Sequence, residues 1–164
     1  MKRLFFIFTL SLSLSLYAQE PAAKKRPIAS TQSYHDYQKA VRQHANKTLI
    51  DIEKAIPDIV LDIRYATSNN FMKQVMYPEA RAFARQPVVI QLKKIQKELR
   101  RQGYGLKIYD AYRPFAITLA FYEKATDKDF VASPYSGSKH NRGCAIDLTL
   151  INYKTKEEIE SFEE

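Results

Sequence analysis

The pattern of apolar and charged residues predicts one long amphipathic helix in the middle of the chain, in the segment VVIQLKKIQKELRRQG. Residues of one face recur at helical spacing, while lysine, arginine and glutamate fill the other face; the first set comprises Val89, Leu92, Ile95, Gln96 and Leu99. Gly103 stands where such a helix would end. We therefore expect this helix to pack Ile95 and Leu99 against a core.

Three segments alternate with the period of two that is typical of strands. They are residues 59–65, the run LKIYDAY at 106–112, and the run that follows Gly143. Pro114 stands near the first turn of a further predicted helix, PFAITLAFYEKA, and residues 34–47 carry a weaker helical pattern. These elements predict a single α+β domain with a small, mainly antiparallel sheet packed against helices.

The N-terminus has the pattern of a secretory signal peptide. Lys2 and Arg3 precede an apolar run from Leu4 to Leu16, and Ala18 offers a small residue for cleavage. The run is shorter than the roughly 20 apolar residues of a membrane span, so we expect no stable span after cleavage, although an uncleaved anchor is the alternative. The predicted organisation is a signal peptide at 1–18, a flexible leader at 19–33 and one domain at 34–164.

Composition is that of an ordinary soluble domain, with 45% hydrophobic and 27% charged residues. The formal net charge of +8 is spread along the chain, and no aromatic-interleaved basic stripe or DNA-binding motif is present. We therefore expect no nucleic-acid partner. The single cysteine, Cys144, forms no internal disulfide, and its strand position predicts a small core residue on the face opposite Asp147.

The stretch GSKHNRGCAIDLTL, residues 137–150, carries the candidate chemistry. Asp147 lies in the alternating run, on the face with small neighbours, and His140 precedes it across a turn. An imidazole and a carboxylate brought together in this way are ordinary zinc ligands. The alternative from spacing alone is an exposed aspartate and an exposed histidine that bind nothing.

Several motifs together resemble one enzyme family. The pattern S-x-H-x-x-G-x-A-x-D is made by Ser138, His140, Gly143, Ala145 and Asp147. With LDIRYATSNNF at 61–71 and LKIYDAYRP at 106–114, the chain resembles the VanX-type zinc D-alanyl-D-alanine dipeptidases and related D,D-carboxypeptidases over roughly residues 48–152. The resemblance implies that His140 and Asp147 bind one zinc ion and that Arg113 faces the substrate.

Two of the implied site residues also have purely structural interpretations. Arg113 is expected to stabilise the transition state as a fixed cation, while an ion pair with Asp110 is the alternative. Ser138 is expected either to bind the dipeptide or to cap the turn before His140. Tyr65, Asn70 and Tyr109 are weaker candidates for lining the pocket.

The chain departs from the family pattern after Asp147. The family completes its site with an E-x-x-H motif that supplies the general base and a third zinc ligand, and no histidine follows His140 here. The catalytic glutamate and the third ligand are therefore not present in this chain. We expect a family member that is truncated at its C-terminus, with doubtful activity, because catalytic zinc sites normally have three protein ligands.

The function implied is zinc-dependent hydrolysis of D-alanyl-D-alanine to two D-alanines during cell-wall peptide turnover, by a protein exported to the periplasm or secreted. Two alternatives stay open. One is a D,D-carboxypeptidase acting on muropeptides, and the other is a non-catalytic truncated remnant.

Overall fold

The computed structural model describes residues 33–159, so the proposed signal peptide and nearly all of the leader lie outside it. Four helices are formed: α1 (Tyr34–Gln43), α2 (Ile52–Ala55), α3 (Gln86–Arg101) and α4 (Phe115–Lys124). The five strands are β1 (Leu49–Asp51), β2 (Val60–Leu61), β3 (Phe83–Arg85), β4 (Tyr104–Asp110) and β5 (Asp147–Asn152). Short 3₁₀ turns cover Ala45–Lys47, Arg64–Ala66 and His140–Arg142.

The strands form two small sheets. β1 pairs with β3 in antiparallel fashion, and the second sheet has the order β2-β4-β5. In that sheet β2 runs parallel to β4, whereas β5 runs antiparallel to β4. The expected α+β class with a mainly antiparallel sheet is confirmed, and β4 is the central strand on which the site is built.

The core lies between α3 and the sheets. Ile108 of β4, Ile52 of α2 and Ala84 of β3 are fully buried, and Val89 and Leu92 of α3 pack into the same cluster. Burial of the isoleucine, valine and leucine side chains contributes about 1.5–3 kcal/mol each relative to exposure. This packing fixes β4, and therefore the residues at its C-terminal end.

Helix α3 buries the expected face with one exception, Ile95. Ile95 is 49% exposed, whereas the polar Gln96 is 2% exposed. Gln96 is tolerated because its Oε1 accepts a hydrogen bond from the backbone N–H of Leu106, and its Nε2 lies 3.3 Å from the Asp58 carbonyl oxygen. The helix ends as expected, since Gly103 follows with φ of +84°.

Two predicted strands are shorter in the structure. Only Val60–Leu61 of the segment 59–65 pairs with β4, because the chain turns into the 3₁₀ helix Arg64–Ala66. In the C-terminal run, residues 143–146 lie outside the strand, and β5 begins at Asp147. Cys144 is therefore exposed, and the prediction that it is a core residue is wrong.

Strand β5 is the outer strand of its sheet, and part of its apolar face is open to solvent. Leu148 and Leu150 are 42% and 40% exposed. Beyond β5, the strand pairing among the described residues consists of the isolated bridge between Ile151 and Glu158. None of the helices among residues 33–159 is long and apolar enough to cross a membrane.

Candidate active site

The C-terminal end of β4 and the start of β5 bring two carboxylates together. A bulge between Ile108 and Asp110 shifts the register, so that Asp110 lies opposite Asp147. Bulges of this kind redirect side chains at the edges of sheets. The two strands therefore present Asp110 and Asp147 at the same end of the sheet.

The turn before β5 is held by its own side chains. The Ser138 hydroxyl accepts a hydrogen bond from the backbone N–H of His140 at 3.1 Å, and the Ser138 N–H donates to Oδ1 of Asn141 at 2.9 Å. Ser138 is 8% exposed and thus caps this turn, whether or not it also binds a ligand. These bonds fix the backbone of His140.

Gly143 ends this turn for a steric reason. Its φ of +65° is a left-handed conformation that glycine adopts readily. A Cβ at this position would also lie 2.7 Å from Cδ2 of Leu49, closer than real side chains approach. The glycine of the S-x-H-x-x-G pattern is therefore required by both conformation and space.

Asn141 joins this turn to the loop after β4. Its Nδ2 donates to the carbonyl oxygen of Arg113 at 2.9 Å and to Oγ1 of the buried Thr118 at 2.8 Å. The backbone N–H of Arg113 donates in return to the carbonyl of His140 at 3.1 Å. The histidine and the arginine are thus held in one rigid unit.

His140 and Asp147 lie side by side. Nε2 of His140 is 3.5 Å from Oδ1 of Asp147, and Nδ1 is 2.8 Å from the carbonyl oxygen of Ala111. Because a carbonyl only accepts, Nδ1 carries the proton and Nε2 is the nitrogen that faces Asp147. Asp147 raises the pKa of His140, and His140 lowers the pKa of Asp147.

This geometry fits a divalent metal. Zinc-ligating histidines usually donate their second N–H to a carbonyl or carboxylate, and Ala111 supplies that partner here. Among residues 33–159, the group of possible ligands that emerges is Asp110, His140 and Asp147, whose donor atoms lie within 4.8 Å of one another. The lone pairs that could bind a metal are those on Nε2 of His140 and on the Asp147 carboxylate.

Asp110 is already committed to other partners. Its Oδ1 accepts from the Tyr77 hydroxyl at 2.8 Å and from the N–H of Ala111 at 2.9 Å. Its Oδ2 accepts from Nε and Nη2 of Arg113 at 3.1 and 2.6 Å, and lies 3.8 Å from the protonated Nδ1 of His140. We therefore assign Asp110 to the support of Arg113, not to the metal.

Arg113 is fixed on all sides. Its guanidinium lies over the rings of Tyr65 and Phe121, with centroid distances of 5.3 and 4.9 Å, in addition to its pair with Asp110. The Tyr77 hydroxyl stays protonated and donates, since burial and Asp110 raise the pKa of Tyr77 far above its ordinary value. Asp110 bonds to Nε and Nη2, so the third nitrogen of the guanidinium, Nη1, is not used by this pair.

An open pocket of about 210 Å³ borders Asp147. The residues that line it come from the loop after β2 and from the ends of β4 and β5: Arg64, Tyr65, Asn69, Asn70, Phe71, Tyr109, Asp110 and Asp147. Tyr65, Asn70 and Tyr109, which the sequence indicated only weakly, therefore surround the space next to the histidine–aspartate pair.

One known protein family matches most of the chain. The peptidase M15 family model, described as D-ala-D-ala dipeptidase, matches residues 45–160. The chain belongs to this family. The match covers most of the described residues, including every element that builds the pocket.

Three curated relatives, all described as D-alanyl-D-alanine dipeptidases, are similar to this chain over part of their length. The D-alanyl-D-alanine dipeptidase of Escherichia coli K12 is 33% identical over 102 residues, covering 62% of this chain and 53% of that protein. The D-alanyl-D-alanine dipeptidases of Enterococcus faecalis V583 and Enterococcus faecium are 27% and 28% identical, each covering 65% of this chain and 62% of theirs. The chain thus spans between half and two thirds of these dipeptidases.

Of the residues indicated by the sequence of this M15 family member, Arg113, Ser138, His140 and Asp147 converge on one region. Sequence reasoning missed the supporting residues Tyr77, Asn141 and Thr118. Asp110 was considered only as a partner of Arg113. The signal for Asn141 was its place inside the motif, between His140 and Gly143, but its partners are distant in sequence.

Proposed function

We propose that this domain hydrolyses D-alanyl-D-alanine to two D-alanines, at one zinc ion held by His140 and Asp147. Membership of the M15 family supports a peptidase. The observation that carries the proposal is the orientation of His140, whose Nδ1 is 2.8 Å from the Ala111 carbonyl while Nε2 faces Asp147 at 3.5 Å. Histidines that bind zinc commonly donate their second ring N–H to a backbone carbonyl in this way.

Each supporting residue has a distinct task in this proposal. Zinc, when bound, lowers the pKa of a water molecule and polarises the scissile carbonyl. Arg113 offers Nη1 to the oxyanion that develops, while Asp110 and the two aromatic rings hold the guanidinium still. The Ser138 oxygen accepts from His140 N–H, which leaves the hydroxyl proton to donate to a substrate carboxylate.

The resemblance assigns the third zinc ligand and the proton-accepting glutamate to an E-x-x-H motif that residues 1–164 do not contain. We propose that full activity requires those two side chains. Two protein ligands predict weaker zinc binding than a three-ligand site, and a missing base lowers the rate by a factor of roughly 10² to 10⁴. Zinc affinity is therefore the primary readout, and turnover is the secondary one.

The experiment measures zinc binding by the purified chain in competition with a chromogenic chelator. We expect about one equivalent of zinc, and His140→Ala should weaken binding at least about hundredfold, the upper end of what a lost outer-shell partner costs. His44→Ala is the matched control, since His44 lies in the N-terminal segment at the end of α1, away from the site. Equal zinc binding by His140→Ala and the parent chain would refute the site.

Substrate choice is tested by release of D-alanine. A dipeptidase should act on free D-alanyl-D-alanine and not on its N-acetylated form, whereas a D,D-carboxypeptidase should accept the blocked peptide. We propose a role in recycling wall peptides outside the cytoplasm, since residues 1–18 have the pattern of an export signal.

A further inference from the structure

One carboxylate oxygen beside the pocket is surrounded by three donors. Oε1 of Glu158 lies 3.1 Å from Nζ of Lys107 and 4.0 Å from Nη2 of Arg64, and it accepts a hydrogen bond from the Tyr109 hydroxyl. Two cations and a hydroxyl around a single oxygen form an arrangement that suits any carboxylate. We call Arg64, Lys107 and Tyr109 the donor cluster.

The donor cluster is held in place without Glu158. Nη2 of Arg64 pairs with Asp62 at 2.9 Å, and the Arg64 guanidinium lies 4.9 Å from the centroid of the Tyr109 ring. Lys107 and Tyr109 are two residues apart on the central strand β4, and the Lys107 side chain is only 16% exposed. Removal of Glu158 would therefore leave the cluster assembled and with an excess of positive charge.

Glu158 itself belongs to a weakly attached segment. Residues 157–159 join β5 through one isolated bridge, whose two backbone bonds run from Asn152 N–H to the Glu157 carbonyl and from Ile159 N–H to the Leu150 carbonyl. The Glu158 side chain is 43% exposed. Segments with few buried contacts separate from a fold at low free-energy cost. The acceptor is thus replaceable, while the donors are not.

The donor cluster also borders the candidate active site. Arg64 and Tyr109 line the same pocket as Asp147. A peptide whose scissile bond lies at the histidine–aspartate pair would therefore pass within reach of these donors.

We propose that Arg64, Lys107 and Tyr109 form a carboxylate-binding subsite, which Glu158 fills in this structure and which a carboxylate of a bound peptide takes over. The preferred ligand class is a D,D-peptide with an acidic side chain next to the scissile bond. The assignment of the ligand as a peptide rests on the proposed function, whereas the existence of the subsite does not.

The test uses the full chain and two probes. First, glutarate binding to the metal-free chain is measured by calorimetry. Glu158→Gln should bind glutarate about tenfold tighter than the parent chain, because a charge-assisted bond is gained without an internal competitor. Second, D-Glu-D-Ala is compared with D-Gln-D-Ala, which differs by one carboxylate. Glu158→Gln should bind D-Glu-D-Ala more tightly than the parent chain does, and its affinity for D-Gln-D-Ala should be unchanged.

Three control variants make the result decisive. Glu157→Gln removes a neighbouring charge that does not touch the cluster and should change nothing. Lys107→Met added to Glu158→Gln should abolish the gain, and a gain that persists there would overturn the subsite. Glu158→Asp keeps the charge but shortens its reach, so it should show a smaller gain even if Glu158→Gln folds poorly.

The outcomes separate the subsite from the proposed function. A glutarate gain without zinc binding or dipeptide turnover would support the subsite and refute the proposed hydrolase. A glutarate gain without a gain for D-Glu-D-Ala would overturn the peptide as ligand. No gain for either probe in Glu158→Gln and Glu158→Asp would overturn the subsite itself.

Discussion

The two halves of the candidate site differ in how completely they are enclosed. In the arginine half, Tyr77 and Arg113 are each 8% exposed and Asp110 is 1% exposed. In the metal half, formed by His140 and Asp147, the His140 side chain is 14% exposed, but the Asp147 side chain, at the first position of the outer strand β5, is 53% exposed. The arginine half is thus fixed by residues already in place, whereas the metal half is open on the side from which ligands would come.

The energetics of the two halves follow from this difference. A buried ion pair costs several kcal/mol per ion in desolvation, and it persists only where geometry and additional hydrogen bonds compensate for that cost. Asp110 meets this condition with its bonds from Tyr77, Ala111 and Arg113. About half of the Asp147 side chain is in contact with solvent, so it needs less compensation in the metal-free protein.

The largest expected effect comes from removing a negative charge from each half in turn. Asp110→Asn should lower the free energy of unfolding by about 3–5 kcal/mol, because Arg113 is left as an uncompensated buried charge. Asp147→Asn should change it by about 1 kcal/mol or less in metal-free protein, the usual range for a partly solvent-exposed pair such as Asp147 with His140. Urea unfolding of both variants without zinc measures the contrast. Equal losses in the free energy of unfolding would show that the two halves do not differ in how much they stabilise the fold.

The second test separates conformation from space at the turn that carries His140. Gly103 and Gly143 both have positive φ, but a Cβ at Gly103 would meet nothing within 4 Å, whereas one at Gly143 would meet Leu49 at 2.7 Å. Gly103→Ala should therefore cost only the left-handed conformation, about 1–2 kcal/mol. Gly143→Ala should cost a further amount of about 1–3 kcal/mol for overpacking.

The readouts for the glycine pair are thermal unfolding and zinc affinity. Gly143→Ala should also weaken zinc binding, because relief of the contact with Leu49 displaces the turn that orients His140. Gly103→Ala should leave zinc binding unchanged. Similar losses of stability in both variants would mean that Leu49 moves aside without cost.

Local periodicity predicted the elements that carry the site. α3, β4 and α4 all form where the apolar pattern placed them, and Asp147 does lie on a strand at the end of the sheet. The pairing of Arg113 with Asp110, three residues earlier, was accessible to sequence reasoning because both residues lie in the short run DAYRP.

What periodicity missed depends on partners that are distant in sequence. Tyr77 reaches Asp110 across 33 residues. Within the predicted face of α3, the apolar Ile95 is exposed while the polar Gln96 is buried, because Gln96 bonds to Leu106 and Asp58. Cys144 is exposed because residues 143–146, which alternate like a strand, form the turn before β5 instead. Hydrogen-bond partners of this kind are set by the tertiary fold, and a single sequence does not show them.

The smallest test asks how far Tyr77 supports the arginine half. Tyr77→Phe removes one of the four hydrogen bonds to Asp110 and leaves the ring in place. The free energy of unfolding should fall by about 1 kcal/mol, the usual net value of one such bond. Tyr112→Phe is the control, because Tyr112 is a half-buried tyrosine that makes no bond to Asp110, and it should stay within about 0.5 kcal/mol of the parent. Zinc affinity should be the same in both variants, since Tyr77 acts on Arg113 and not on His140. A Tyr77→Phe variant that loses zinc binding would mean that the two halves are coupled through Asp110, and that the aspartate shared between them belongs to the metal as much as to the arginine.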